Sequence, residues 1–348
     1  MKTLIGSFAA AAALVAQPAM AWDCQGHRAI TLLALDGFER STPDYPEWLK
    51  PERARLTAAS NACEADRFRA LTVPLYLSHE NNPDHYLDVE KLAQFGLTLS
   101  TVPPLRYEYV RALAVAKHEH PESVDPYNPK LDPSRSQEFP GYGAHAVMEW
   151  HGKLASSFKV VRTLETLSDP KRELQLEAAR ANALYSMGML SHFVGDLAQP
   201  LHTTEHHHGW IGDNPEGFTT DRRIHAFIDG EILIIHQLDY DSLKPTFNLE
   251  RSVQTSDPWM DVLDHIQRSH DRVRDIYALF KAGVLEKEPG RALITERLHD
   301  GGAMLAAMYA SAWKLGRPSE KDVTDFVRYD RWEGIKDAKP NPEARPLP

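Results

Sequence analysis

The stretch RELQLEAARANALYSMGMLSHFVGDLAQPLH, residues 172–202, carries the strongest structural signal in the chain. Its apolar side chains recur at helical spacing, and it contains few glycines and no proline before Pro200. This pattern predicts a long helix from Arg172 to Phe193 that packs on a core. Pro200 and the Gly, His, Asn and Pro residues clustered at 206–217 predict a loop after it.

The same helical periodicity occurs on both sides of this stretch, whereas the alternation typical of β-strands is scarce. There is no internal repeat and no heptad run. We therefore predict an all-α fold, with a single multi-helix domain over residues 22–315 and an extended, partly disordered tail over residues 316–348. The other predicted helical segments are Ala29–Phe38, 51–71, Ala144–Leu167, Asp221–Leu238, Trp259–Phe280 and Pro289–Leu315.

Two segments lack this pattern. Residues 78–90 are polar and irregular, and residues 97–141 are rich in Pro, Ser, Asp and Tyr, with one helical insert from about Leu105 to His118. A loop of that length in a compact domain is usually functional or mobile. The sequence leaves open whether residues 97–141 form a wall of a cleft, a lid or a partner surface.

The composition is that of a soluble globular protein, with 42% hydrophobic and 25% charged residues in a chain of 348. The net charge of -10 argues against a large basic patch that grips polyanions through counterion release. It does not exclude phosphate-containing substrates, because bound cations dominate the local field of a site.

The first 21 residues have the pattern of a secretory signal peptide. Lys2 supplies a positive charge, an alanine-rich apolar stretch runs from Leu4 to Ala16, and A-M-A at 19–21 is an A-x-A cleavage site. The apolar run is too short for a membrane-spanning helix, and no later stretch is long and apolar enough. We expect cleavage after Ala21 and a soluble mature protein in the periplasm or outside the cell.

Cys24 and Cys63 are the two cysteines of the chain. In an oxidising compartment they are able to form one disulfide. The sequence does not show whether their Cα atoms come close enough for the bond.

Two His/Asp pairs and a flanking histidine stand out among the seventeen histidines. His192 and Asp196 lie four positions apart, as do His225 and Asp229, so each pair shares one face of a predicted helix. Histidine and carboxylate side chains that converge in this way suit zinc. A single such pair is more often an ordinary helix pair. Two pairs, with His202 six positions after Asp196, indicate a metal site.

The segment H-F-V-G-D-L-A-Q-P-L-H, residues 192–202, resembles the signature helix of the S1/P1 nuclease and zinc-dependent phospholipase C superfamily. The resemblance extends to the predicted new N-terminus, where Trp22 is followed by His27 at the family's spacing. It also covers A-D-R-F-R at 65–69, H-Y-L-D at 85–88 and I-H-A-F-I-D at 224–229. The interval from His202 to His225 resembles the nuclease branch more than the phospholipase branch, in which it is shorter and the last ligand is Glu.

The resemblance implies a cleft with three zinc ions. One ion would be held by Asp66, His85, His192 and Asp196, and a second by His202, His225 and Asp229. The third would be held by the amino group and carbonyl oxygen of Trp22, by His27 and by Asp196, which would bridge. Three Zn²⁺ ions against three carboxylates leave a positive site, which would let an acidic protein attract a phosphodiester. His79 competes with His85, but only His85 is followed by the aromatic residue and the aspartate of the motif.

The implied activity is phosphodiester hydrolysis by a zinc-activated hydroxide, with single-stranded nucleic acid as the main substrate and 3′-nucleotides as a further one. Asp196 and Arg69 are the predicted catalytic residues, with Arg69 at the position of an arginine that steadies charge on phosphoryl oxygens. Tyr86 would stack on a base and Asp88 would bond the base edge. Each residue also has a purely structural alternative. Arg69 would be a surface arginine on a helix, Tyr86 would pack under the metal site, and Asp88 would cap a helix. No protein partner is predicted.

One stretch departs from the family. Nuclease members carry Gly-Gly-Asn between the ligands that match His202 and His225, whereas here the stretch is T-T-E-H-H-H-G-W-I-G-D-N-P-E-G-F. For His206 and His207 we favour mobile surface, and the role of Trp210 stays open. This departure keeps two alternatives: a phospholipase C that acts on phospholipid head groups, and a non-catalytic periplasmic zinc-binding protein.

Overall fold

The computed structural model describes residues 22–70, 75–124, 126–128, 132, 135, 138–248 and 250–332, with Arg69 and Ala70 described in their backbone alone. Within these residues the fold consists of helices and loops without a strand, which confirms the all-α prediction. The helices are α1 Cys24–Ser41, α2 Glu52–Asn61, α3 Glu64–Ala70, α4 Leu75–Asn81, α5 Arg106–Glu119, α6 Gly143–Leu167, α7 Glu173–Ala198, α8 Ile224–Ala226, α9 Ile232–His236, α10 Tyr240–Leu243, α11 Trp259–His270, α12 Val273–Lys281, α13 Glu288–Leu315 and α14 Glu320–Asp330.

Short turns connect these helices. A π-helical turn, Phe227–Glu231, joins α8 to α9. The 3₁₀ turns are Glu47–Leu49, Asn82–His85, Glu90–Phe95, Leu99–Thr101, Pro121–Ser123, Pro170–Arg172, Pro200–His202 and Lys244–Thr246. None of the helices in the described part of the chain has the length and apolarity needed to cross a bilayer.

Four long helices form the core. α1 packs along α13, α6 packs along α7, and α13 contacts both α6 and α7. The first contact is close because α1 has a glycine where it meets α13: a Cβ at Gly37 would lie 2.7 Å from the Cβ of Ala306. Ile30 and Phe158 are among the fully buried side chains of this core. The bundle therefore encloses the start of α1 and the end of α7 among its long helices.

Helix α7 is longer than predicted. It continues past Phe193 to Ala198, so that His192 and Asp196 lie on the same helix. Gly195 lies inside the helix, and the absence of a side chain there leaves room for His27 of α1. The helix ends at Gln199, whose backbone is extended, because the residue before a proline is driven out of the helical conformation.

Other boundaries also differ from the prediction. Residues 78–90 are more regular than expected, since they contain the end of α4 and the turn Asn82–His85. The segment predicted as one helix from Trp259 to Phe280 is two helices, α11 and α12, separated at residues 271–272. His270 Nδ1 at this break lies 2.9 Å from the carbonyl oxygen of Thr203, which ties the end of α11 to the loop after His202.

The C-terminal segment also differs. The sequence predicts an extended tail from residue 316, but Glu320–Asp330 form α14. Ser319 caps this helix by accepting a hydrogen bond from the Asp322 amide, and Arg172 bonds Asp330 at its end. Residues 333–348, like the predicted signal peptide, lie outside the described residues.

Cys24 and Cys63 form a disulfide with Cα atoms 5.4 Å apart. It joins the first residue of α1 to the segment just before α3. We predict that replacing both cysteines with serine lowers the free energy of unfolding, because the bond closes a chain of 39 residues. Loop-closure entropy sets the upper limit of the loss at about 4 kcal/mol. Urea unfolding of the metal-free protein measures the difference, and a loss below about 1 kcal/mol would contradict the prediction.

Candidate metal centre

Eight of the predicted ligand side chains are buried together. They form three groups in which one ligand atom from each residue lies within 4.8 Å of the others. The first group is His27, His192 and Asp196; the second is Asp66, His85 and His192; the third is His202, His225 and Asp229. The chain thus brings α1, α3, α7, α8 and the turns Asn82–His85, Pro200–His202 and Phe227–Glu231 to one place.

Asp196 is the hub of the first two groups. Its Oδ1 lies 3.3 Å from His27 Nε2, and its Oδ2 lies 2.8 Å from His85 Nδ1 and 3.4 Å from His192 Nε2. His192 Nε2 in turn lies 3.0 Å from His85 Nδ1 and 3.8 Å from Asp66 Oδ1. One carboxylate therefore contacts three imidazoles, and the bridging of two metal ions by Asp196 stays a prediction. The prediction assigned His192 to a single ion, whereas the structure places it in two groups.

The third group lies across the turn after α7. His225 Nε2 is 3.0 Å from His202 Nε2 and 3.5 Å from Asp229 Oδ2. Two imidazole nitrogens about 2.0 Å from one zinc in tetrahedral geometry would be about 3.3 Å apart, close to the first distance. Asp229 belongs to the π-helical turn, a local widening that is frequent at functional sites.

Backbone carbonyls orient the ligand rings. His192 Nδ1 bonds the carbonyl oxygen of Ala62 at 2.7 Å, and His202 Nδ1 bonds that of His85 at 2.7 Å. A carbonyl accepts only, so each Nδ1 carries a hydrogen, and in the neutral ring Nε2 presents its lone pair to the group. This is the usual arrangement of metal-ligating histidines. In the neutral ring, this orientation leaves Nε2 of His192 and of His202 available to a metal ion.

Gln199 is a residue of the site that the sequence analysis missed. It is fully buried and donates from Nε2 to Asp229 Oδ1 at 2.7 Å. Its Oε1 accepts from the amide of Leu201. The side chain thereby fixes one oxygen of a predicted ligand and the turn that leads to His202. In the sequence, the one hint of this role is that a polar residue lies between the helix carrying His192 and Asp196 and the proline at position 200.

In the first two groups, the buried imidazole rings and carboxylates shift each other's pKa values. Burial lowers the pKa of His27, and nearby His192 lowers it further. Burial alone would also lower the pKa of His192, but the Asp196 and Asp66 carboxylates outweigh it and raise this pKa to about 9. The pKa of Asp196 is well below its usual range, because its histidine neighbours outweigh the effect of burial. The site thus holds positive charge against its buried carboxylates.

His27 gives a further test of the metal site. It is completely buried, and within the described part of the chain neither of its ring nitrogens forms a hydrogen bond. Such a buried polar group is costly unless another partner satisfies it. A cation held by Nε2 and Asp196 would provide that partner. Nitrogen and carboxylate donors in groups of three fit zinc. The residues present therefore fit the metal that the resemblance implies.

Trp22 is fully buried beside the centre. The amide of Asp23 donates to the carbonyl oxygen of Asp229 at 2.8 Å, and the Asp23 side chain caps α1 through the amides of Gln25 and Gly26. These bonds hold the start of the predicted mature chain against the π-helical turn. Ala21 and the residues before it lie outside the described residues.

The predicted substrate residues have different surroundings. Tyr86 is half-buried, with its ring centroid 6.5 Å from that of His207. Asp88 is buried and forms ion pairs with Lys91 at 3.4 Å and His207 at 3.8 Å, and burial raises its pKa. It is therefore held by protein side chains. The predicted catalytic side chain of Arg69 lies outside the described part of the structure.

The histidine-rich loop is packed, contrary to the favoured expectation of a mobile surface. The His206 ring stacks on Trp210 with centroids 3.9 Å apart, and Tyr277 donates to the His206 carbonyl. His207 Nδ1 bonds the Thr204 carbonyl at 3.0 Å, and the ring centroid lies 6.0 Å from that of His225. This loop forms a wall beside the third group. His79, the competitor to His85, is exposed on α4 and belongs to none of the groups.

Gly195 provides a test of this packing. A Cβ at this position would lie 2.8 Å from His27 Nδ1 and 3.2 Å from His27 Cε1. We predict that Gly195→Ala displaces His27 and weakens metal binding at the first group. Gly152→Ala on α6 is the matched control, because no heavy atom lies within 4 Å of its added Cβ.

The control variant should keep full metal content and gain up to about 1 kcal/mol in helix propensity. Metal analysis after dialysis measures both variants. Equal metal content in the two would show that His27 does not need the space at Gly195.

No protein-family model and no curated protein matches this chain.

Proposed function

We propose that the protein is an exported, zinc-dependent phosphodiester hydrolase of the S1/P1 nuclease type. The observation that carries the proposal is the position of Asp196, a buried carboxylate in contact with His27, His85 and His192. A carboxylate in this position would suit binding of more than one cation, and several cations would assist hydrolysis of a phosphodiester. The signal-peptide pattern of residues 1–21 supports export.

Zinc bound by these groups would supply positive charge for the phosphoryl oxygens and would lower the pKa of a water molecule toward neutrality. The chain's own residues hold and orient the ligands. The carbonyl oxygens of Ala62 and His85 fix the rings of His192 and His202, and Gln199 fixes Asp229. Buried surroundings strengthen each of these electrostatic interactions.

The half-buried ring of Tyr86 would receive a base by stacking, in the role that the resemblance implies. Stacking tolerates any base and suits a nuclease without sequence preference. The neighbouring ring of His207 narrows the space beside Tyr86. Asp88 would reach a base edge only by exchanging its ion pairs with Lys91 and His207 for a bond to substrate.

A phospholipase C is the second candidate, and exposed apolar side chains favour it. Leu75 and Tyr76 at the start of α4 are 62% and 73% exposed, and Leu105 and Tyr107 at the start of α5 are 62% and 88% exposed. Arg106 bonds Asp84, the neighbour of His85. The exposed side chains at the starts of α4 and α5 therefore flank the turn Asn82–His85, which carries a predicted ligand. Aromatic and aliphatic side chains in such a position suit a lipid surface.

One assay of the zinc-loaded mature protein separates the candidates. Single-stranded DNA, RNA and phosphatidylcholine vesicles are compared at equal phosphodiester concentration. The proposal predicts cleavage of DNA or RNA, with a lower kcat/KM for Tyr86→Ala. Hydrolysis of the vesicles alone would show that the protein is a phospholipase C and that the nuclease proposal is wrong. Bound zinc without turnover of any of the three substrates would favour the non-catalytic zinc-binding protein.

A further inference from the structure

A buried histidine outside the three groups contacts the metal-ligating helix midway between two ligands. Val194 lies between His192 and Asp196 on α7, and its carbonyl oxygen is 3.1 Å from His265 Nε2 of α11. His265 is 1% exposed. Since a carbonyl accepts only, Nε2 carries a hydrogen and donates it. α11 is thereby bonded to α7 at the turn that presents both ligands.

The other nitrogen of this ring is held by charged side chains. His265 Nδ1 lies 3.2 Å from Arg251 Nη1 and 3.4 Å from Asp300 Oδ2. Asp300 of α13 is 1% exposed and also receives Arg268 at 2.8 Å and Arg297 at 3.4 Å. Arg251 Nη1 also lies 3.4 Å from Asp300 Oδ1, so three guanidinium groups surround this buried carboxylate. This carboxylate and Arg251 fix the orientation of the His265 ring.

Backbone hydrogen bonding does not require this contact. Val194 lies inside α7, where its carbonyl belongs to the helical ladder. Burying an imidazole and a carboxylate costs desolvation, and apolar residues of similar volume often pack at least as stably. What the imidazole adds is direction, because its bond resists rotation and sliding of α7 at the residue between the two ligands.

We propose that His265 is a positioning residue for the metal centre: its bond to the Val194 carbonyl holds His192 and Asp196 at the spacing that their shared cations require, and Asp300 holds the His265 ring. This inference rests on metal binding by the described groups and is independent of which phosphodiester is the substrate. Residues that orient metal ligands commonly change affinity by about 10- to 100-fold when they are replaced.

The test compares His265→Leu with His151→Leu. His151 of α6 is 3% exposed and lies 3.0 Å from Ser311 Oγ through Nε2, so each variant removes a buried imidazole from a core position. Zinc affinity is measured by competition with a chromophoric chelator, and ligand geometry by the visible spectrum of the cobalt-substituted protein. Thermal unfolding of the metal-free variants reports the general loss of stability.

We expect His265→Leu to weaken zinc binding by about tenfold and to alter the cobalt spectrum. His151→Leu should lose similar thermal stability while keeping wild-type affinity and spectrum. His265→Gln, whose amide reaches a similar position and also donates, should restore both. Wild-type zinc affinity in His265→Leu, or an equal loss of affinity in His151→Leu, would overturn the proposal.

A second pair of variants decides the matter if His265→Leu does not fold. His265→Gln should then bind zinc within about twofold of wild type, and Asp300→Asn should lose affinity because the ring loses its orientation. Tenfold weaker zinc binding in His265→Gln, or unchanged binding in Asp300→Asn, would contradict the proposed positioning of α7 by Asp300 and His265. If the wild type binds zinc but hydrolyses no phosphodiester, the proposed function fails while the positioning role is still decided by the affinities.

Discussion

Asp196→Asn is expected to remove the ions that depend on the first two groups and to lower phosphodiesterase activity by about a thousandfold or more. The substitution preserves shape but removes the charge that contacts His27, His85 and His192. One carboxylate oxygen is also replaced by an NH₂ group, which can neither accept a hydrogen bond from an imidazole nor bind a cation. Metal analysis and single-turnover hydrolysis of single-stranded DNA measure the two losses.

Asp88→Asn is the matched control for metal content. Asp88 is as buried as Asp196 and lies near the centre, but it belongs to none of the groups. The Asn variant should retain every ion that the wild type retains, whatever happens to its KM. Full metal content and full activity in Asp196→Asn would show that the histidines bind without the shared carboxylate and would remove the basis of the proposed function.

Blocking the amino group of Trp22 is expected to have the second large effect. A protein that keeps residues 1–21, or carries any residue fused ahead of Trp22, should lose one zinc and most of its activity. A free α-amino group titrates near pH 8 and is able to donate a lone pair, whereas a peptide nitrogen is not. Trp22 is completely buried, and Asp23 is bonded to Asp229 and caps α1, so this segment has little room to move away.

The control for this prediction carries the same extra residues after Pro348. It should match the untagged mature protein in zinc content and rate. If the N-terminally extended protein also keeps both, Trp22 does not ligate through its amino group. The His and Asp groups would survive that result, because none of their distances involves Trp22.

The site was predictable because its ligands occur in short motifs that local structure presents together. His192 and Asp196 share a helix face, and His225 and Asp229 repeat the spacing. Distances between groups depend on tertiary packing and were not readable from spacing. The structure shows in addition that His192 belongs to two of the groups and that Gln199 donates a hydrogen bond to Asp229.

Helices were predictable where apolar residues recur at helical spacing over a long segment. The positions at which the helices end were less predictable. The prediction ended α7 at Phe193, whereas the helix continues through Gly195, where the lack of a side chain leaves room for His27. At the break between α11 and α12, His270 bonds the Thr203 carbonyl, which is 67 residues away in the chain and cannot be read from local sequence. α14 depends on its cap at Ser319 and on Arg172, a contact that composition does not reveal.

The most direct test of the proposed trinuclear zinc centre is the zinc content of protein that begins at Trp22, measured by mass spectrometry after exhaustive dialysis against metal-free buffer. We predict three zinc ions per chain, two of them lost in Asp196→Asn and one lost when a residue precedes Trp22. A content of one zinc or none in the wild type would contradict the account.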